Sequence, residues 1–127
     1  MIDTVIETSV CRTWIGEDGI LRTVMLKGCR IDVEQGREIG QAHRRLLGSE
    51  RALSFVDIRG VAHSSRGARE LLGGEPREHL PVAMALLAES AVSRVVGNFF
   101  LGLSRPSFPT RLFTAEREAL EWLKSLA

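Results

Sequence analysis

The 127 residues predict a single α/β domain whose sheet is mixed, mostly parallel, and opened by an N-terminal β-hairpin. Three observations lead to this fold class. Short apolar runs of strand length alternate with amphipathic stretches of helical period from residue 32 to the C-terminus. Ahead of them, an Asp18-Gly19 turn joins two runs rich in Val, Ile, Thr and Trp. The length suits one domain able to bury about two-thirds of its unfolded surface.

The elements follow in order. Residues 5–15 form the first predicted strand and residues 20–26 the second, with Glu17-Asp18-Gly19 between them and Gly28 at the end. A hairpin turning there puts Met25 near Cys11, so Cys11 and Cys29 are not opposed. Asp32 caps a helix whose Val33, Gly36, Ile39, Ala42, Leu46 and Leu47 recur at helical spacing. Its other face, with Glu34, Arg37, Glu38, Gln41, Arg44 and Arg45, is a solvated surface, and Gly48 is the stop. Residues 53–58 read as a strand covered on both faces, and residues 60–65 as a loop. Ser64 or Ser65 caps a short helix over residues 66–72, ended by Gly73-Gly74, and Pro76 and Pro81 bracket the next connection. A buried strand over residues 82–88 precedes the most amphipathic helix, residues 92–103. Pro106 and Pro109 end it, residues 111–113 make a short strand, and Thr114 caps a last helix with Ala119, Trp122, Leu123 and Leu126 inward. The predicted order is β-β-α-β-α-β-α-β-α.

Composition excludes several function classes. A hydrophobic share of 44% with 26% charged residues belongs to a globular chain rather than a disordered one. A net charge of +1 supplies no global field for nucleic acid or an anionic membrane, although all but two of the 17 basic residues are Arg. No apolar stretch approaches the ~20 residues of a membrane-spanning helix. Met1-Ile2-Asp3-Thr4 shows no basic region followed by an apolar run, so no secretory signal is expected. Two cysteines outside any C-x-x-C motif fit a reducing, cytoplasmic setting.

Catalytic and cofactor signatures are sparse. His43, His63 and His79 lack the spacing that gathers metal ligands, and neither G-x-G-x-x-G nor G-x-x-x-x-G-K-[ST] occurs. Asp57, His63 and Ser64 are the residue types of a nucleophilic triad. Adjacent His63 and Ser64 rarely aim at one another, however, and no G-x-S-x-G elbow exposes a serine. No cofactor, metal or catalytic residue is expected, and the chain reads as a non-enzyme.

Val56-Asp57-Ile58-Arg59-Gly60-Val61 followed by Ser64-Ser65-Arg66-Gly67 resembles the strand, loop and helix start of STAS domains. That family includes the sporulation anti-anti-sigma factors and the cytoplasmic tails of sulfate transporters. Residues 92–100 and Pro109-Thr110-Arg111-Leu112-Phe113-Thr114 resemble small bacterial STAS/SEC14-like proteins of unestablished function. The resemblance spans the chain from the hairpin to the last helix. It implies a STAS-like fold and a regulatory protein partner, released when a serine at this helix start is phosphorylated. Aligned on Gly67, Arg66 takes the place of that serine and Ser64 that of the preceding aspartate, while a shift of one residue puts Ser65 at the switch position.

The leading candidate site is therefore the loop after the third strand, with Asp57, Arg59, His63, Ser64, Ser65, Arg66 and Arg69. Ligands of open α/β sheets bind outside the carboxyl ends of the strands, and amides at a helix start with Arg nearby suit a phosphate or carboxylate. The plainer account has Ser64 or Ser65 only capping the helix, Asp57 holding the loop amides and the Arg side chains solvated. A second candidate is the apolar helix 92–103, which as core needs no further explanation but is wide enough for part of it to line an apolar pocket, with Arg94 and Asn98 at its edge, or a homodimer interface. Expected partners are thus a regulatory protein or a small anion. The alternative, from the SEC14-like side of the resemblance, is a carrier of an apolar or lipid-like ligand. Nucleic acid and a membrane span are not expected.

Overall fold

The computed structural model describes residues 4–68, 81–88 and 108–127. The first strand, β1 (Val5–Glu7), is followed by β2 (Cys11–Ile15), β3 (Leu21–Met25), β4 (Cys29–Ile31) and helix α1 (Val33–Leu47). Then come β5 (Leu53–Asp57), β6 (Val61–Ser64), β7 (Ala83–Leu87), β8 (Thr110–Phe113) and helix α2 (Glu116–Ser125). Six strands form one sheet in the order β1-β2-β3-β5-β7-β8, while β4 and β6 pair separately. The first two pairings are antiparallel and the other three parallel, the mixed sheet that the sequence predicts.

Cys11 pairs with Met25, as the Asp-Gly turn requires, and Gly19 takes φ 80° there. Three expectations are corrected. The first strand divides, because the Thr8 hydroxyl accepts the Val10 and Cys11 N–H groups, each at 3.1 Å, and turns the chain between β1 and β2. Residues 61–64 are strand rather than loop, because β4 offers them a parallel partner. Thr114 does not cap α2: Ala115 is the cap residue, without a side-chain bond, and Leu126 is 43% exposed. The predicted Arg69, Gly73-Gly74 stop, His79, helix 92–103, Arg94 and Asn98 lie outside the described residues.

The two faces of the sheet carry different cores. On the α1 face Val10, Cys11, Met25, Ile39, Ile58, Val61 and Leu86 pack together. A polar thread runs beside them. Thr13 Oγ1 donates to the Arg22 carbonyl at 2.7 Å, lies 3.0 Å from Thr23 Oγ1, and Thr23 Oγ1 lies 2.9 Å from His43 Nε2. A carbonyl only accepts, so the single Thr13 proton is committed to it, the Thr23 hydroxyl must donate to Thr13, and His43 must donate from Nε2. Direction is thereby fixed from helix to sheet. Thr13 and Thr23 are fully buried, and burial holds His43 down at about 4, neutral near pH 7. His43 is thus a half-buried residue at the edge of the core, bonded to it through Thr23.

On the opposite face α2 packs against β5, β7 and β8 through Phe55, Ala83, Ala85, Leu87, Phe113, Ala119 and Leu123. Arg111 lies over the rings of Phe113 and Trp122, 5.2 and 5.5 Å from their centroids. Glu38, on the outer face of α1, accepts from the Ser9 hydroxyl and fastens the β1–β2 turn to that helix.

Candidate functional site

The carboxyl ends of β3 and β5 lie side by side, and the loops leaving them are tied through backbone. Leu26 accepts the Cys29 N–H at 3.1 Å, closing a turn in which Gly28 has φ 77°. Gly28 N–H donates to the Gly60 carbonyl at 2.7 Å. Gly60 sits so close to β3 that a Cβ there would lie 2.7 Å from the carbonyl oxygens of Met25 and Leu26. Only glycine permits that approach. The contact sets the height at which β6 starts and aligns it with β4.

Between Cys29 and Arg30 the β4–β6 register shifts. Cys29 faces Val61, but Arg30 faces His63, leaving Ala62 as the extra residue. The bulge brings Arg30 and His63 to one paired position, both exposed. Ser64 pairs with Ile31, and the ladder continues as Ser65 N–H donates to the Ile31 carbonyl at 2.9 Å. Ser65 Oγ then accepts the Ala68 N–H at 3.1 Å, so Ser65 rather than Ser64 caps the helix starting at Arg66. At Gly67 a Cβ would fall 2.7 Å from a Val33 methyl, so this glycine lets the helix start lie against the start of α1.

Asp57 ends β5 and is buried, 6% exposed. Its Oδ1 accepts the Arg59 N–H at 3.0 Å and Arg59 Nε at 2.9 Å, and its Oδ2 accepts Arg59 Nη2 at 2.7 Å. The Asp57 carboxylate therefore braces its own loop. Around this frame Leu26 is 40% exposed and Val33 36%, and Lys27, Arg30, Ala62, His63 and Arg66 are exposed with them.

The structure thus gathers Asp57, Arg59, His63, Ser64, Ser65 and Arg66 at one end of the sheet, with Arg69 outside the described residues. It does not assemble a triad: Asp57 is bonded to Arg59, and His63 and Ser64 are successive strand residues paired to Arg30 and Ile31. Among the described residues no group of three His, Cys, Asp or Glu could hold a metal ion. Cys11 and Cys29 are free thiols, both pushed up by burial, which makes them poor nucleophiles. Sequence reasoning missed Leu26, Lys27, Arg30 and Val33. Gly28 and Gly60 were the available signal, each three residues past the end of a strand with no helix to end.

Comparison with known proteins agrees with this architecture. The family described as "Domain of unknown function (DUF7793)" matches residues 13–127, and the chain belongs to it. No curated protein matches. An uncharacterized DUF3478-family protein with a SpoIIAA-like fold from Shewanella loihica PV-4 is 15% identical, with TM-score 0.60, over 97% of this chain and 92% of that one. An anti-sigma factor antagonist from Mycobacterium paratuberculosis is 16% identical, with TM-score 0.58, over 98% and 95%. A protein of unknown function from Arthrobacter sp. FB24 is 38% identical over 88% and 97%, with TM-score 0.36. The fold is therefore SpoIIAA-like, the STAS class that the Val56–Val61 and Ser64–Gly67 stretches resemble.

Proposed function

We propose that this chain is a non-enzymatic regulatory module that binds a partner protein on the surface formed by the loops after β3 and β5 and by the β4–β6 ladder. The observation that carries the reading is the combination of rigid backbone and exposed side chains. Gly60 and Gly28 lock the two loops together, and on that frame Leu26, Val33, Arg30 and His63 face outward. Apolar residues amid Arg and His on a preorganised surface suit a protein partner, because little ordering entropy is lost on docking. The anti-sigma factor antagonist of similar fold supports the same class of role. Two free thiols support a reducing, cytoplasmic setting.

Within this reading Ser65 is the regulatory position. Its hydroxyl caps the helix beside the platform, and phosphorylation would place a charge of about −1.5 to −2 there. The anion reading of the same loop is the smaller version of this one, with the phosphate supplied by a ligand. The carrier reading rests on residues 92–103, outside the described residues.

The test is quantitative copurification from the native host with wild type, Leu26→Asp, Arg30→Glu, Ser65→Asp and, as control on the exposed face of α2, Arg117→Glu. The expected result is a stoichiometric partner retained by wild type and Arg117→Glu and lost from the platform variants. A partner held equally by all five proteins would move the binding surface elsewhere.

A further inference from the structure

The strand register places two cross-strand rows on the sheet face that carries α2. One runs Val5, Trp14, Arg22, Phe55, and the other Glu7, Arg12, Val24, Asp57. Among the described residues α2 packs chiefly against the β5, β7 and β8 end of these rows. The β1–β2 end is open: Val5 is 50% exposed, Glu7 and Arg12 are exposed, and Trp14 and Val24 are partly so. Glu7 and Arg12 stand directly opposite one another, yet no ion pair joins them among the described residues. Their charges remain available to something outside the chain.

We propose that a second copy of this chain packs on this face. Consider a two-fold axis running along the strands midway between β1 and β2. It exchanges the two strands across the interface while keeping each row in place. Each Glu7 then lies over the partner's Arg12 and each Arg12 over the partner's Glu7, while each Val5 covers the partner's Trp14. The rows are self-complementary in charge and in apolar character about this axis, as an isologous contact requires, and sheets pack face to face in such near-aligned geometry. With three to five residues per strand, the patch falls well below the ~800 Å² per partner of a standard interface. The dimer is consequently weak and exchanges with monomer. It lies on the opposite face from α1 and leaves the platform at the strand ends accessible.

Sedimentation velocity at concentrations up to the millimolar range tests it, on wild type, Glu7→Arg, Arg12→Glu, the double reversal Glu7→Arg/Arg12→Glu, and Trp14→Ser. Wild type is expected to shift from monomer to twice the monomer mass with rising concentration. Both single reversals and Trp14→Ser should stay monomeric, and the double reversal should recover the dimer because it restores both pairs. Circular dichroism on each variant separates lost association from lost fold. A wild type that stays monomeric throughout overturns the proposal. So does a dimer indifferent to the single reversals, or a failure of the folded double variant to recover it.

Discussion

The two ends of the sheet treat charge in opposite ways. At the hairpin end Asp18 takes Arg22 in a two-pronged pair at 2.8 and 2.9 Å, accepts the Ile20 N–H at 3.1 Å, and lies 3.9 Å from Lys124 on α2. The Arg22 hydrogen bonds hold the Asp18 carboxyl down at about 2 and raise Arg22 in turn. At the platform end the Asp57–Arg59 pair is equally internal, but Lys27 and Arg30 make no ion pair among the described residues. There Leu26 and Val33 are exposed beside them. One end is closed upon itself and fastened to a helix. The other is rigid in backbone and open in side chain, the combination a docking surface needs.

Two glycine substitutions sharpen this contrast most. Gly60→Ala drives a methyl into the Met25 and Leu26 carbonyls, which cannot move without shifting β3. The expected loss is about 3 kcal/mol or more by urea denaturation. Gly16→Ala at the hairpin end meets the Arg22 guanidinium and Asp18 carboxylate, flexible groups that can swing aside. Its expected loss is about 1 kcal/mol or less. Equal losses would erase the distinction between a backbone contact and a side-chain one.

Acid separates the polar thread under α1 from the hairpin end. His43 is neutral in both states above its ordinary value of about 6.5, so it contributes no pH dependence there. Between that value and about 4 the unfolded chain binds a proton that the folded chain refuses, and stability falls by roughly 3 kcal/mol. Thermal melts of His43→Gln should lack this slope. Asp18 acts lower: its contribution is present above the ordinary 3.8 and is lost as pH falls through about 2. Being partly exposed, it is worth about 1 kcal/mol. Smaller again, Ser65→Ala removes the bond to the Ala68 N–H and should cost about 1 kcal/mol or less. Leu26→Asp should change stability by less than about 0.5 kcal/mol while abolishing partner binding.

Much of the fold was legible in local chemistry. Asp18-Gly19 specifies the hairpin and its register, the helical spacing of Gly36, Ile39 and Ala42 marks the buried stripe of α1, and the apolar runs through Phe55 and Ala85 mark the central strands. What escaped depends on partners distant in sequence. Cys29–Ile31 and Val61–Ser64 are too short and too polar to signal a strand alone, and each becomes one only because Gly60 brings them together. The plainer roles of Asp57, holding a loop amide, and of Ser64 or Ser65, capping the helix, were legible, whereas Arg59, expected to be solvated in that account, is bonded to Asp57. The outward-facing Leu26, Arg30 and Val33 were not, since their exposure is set by the crossing of two loops rather than by any local pattern. The His43 bond was not legible because its partner Thr23, and Thr13 behind it, lie on strands 20 and 30 residues before it.

The central claim is that the platform, and no other surface, receives the partner. Hydrogen–deuterium exchange on the chain alone and in complex with its copurified partner tests it most directly. Added protection confined to peptides covering residues 26–31 and 59–66, with α2 and β8 unchanged, is the predicted result. Protection over α2 and β8 with the platform unaffected would contradict it.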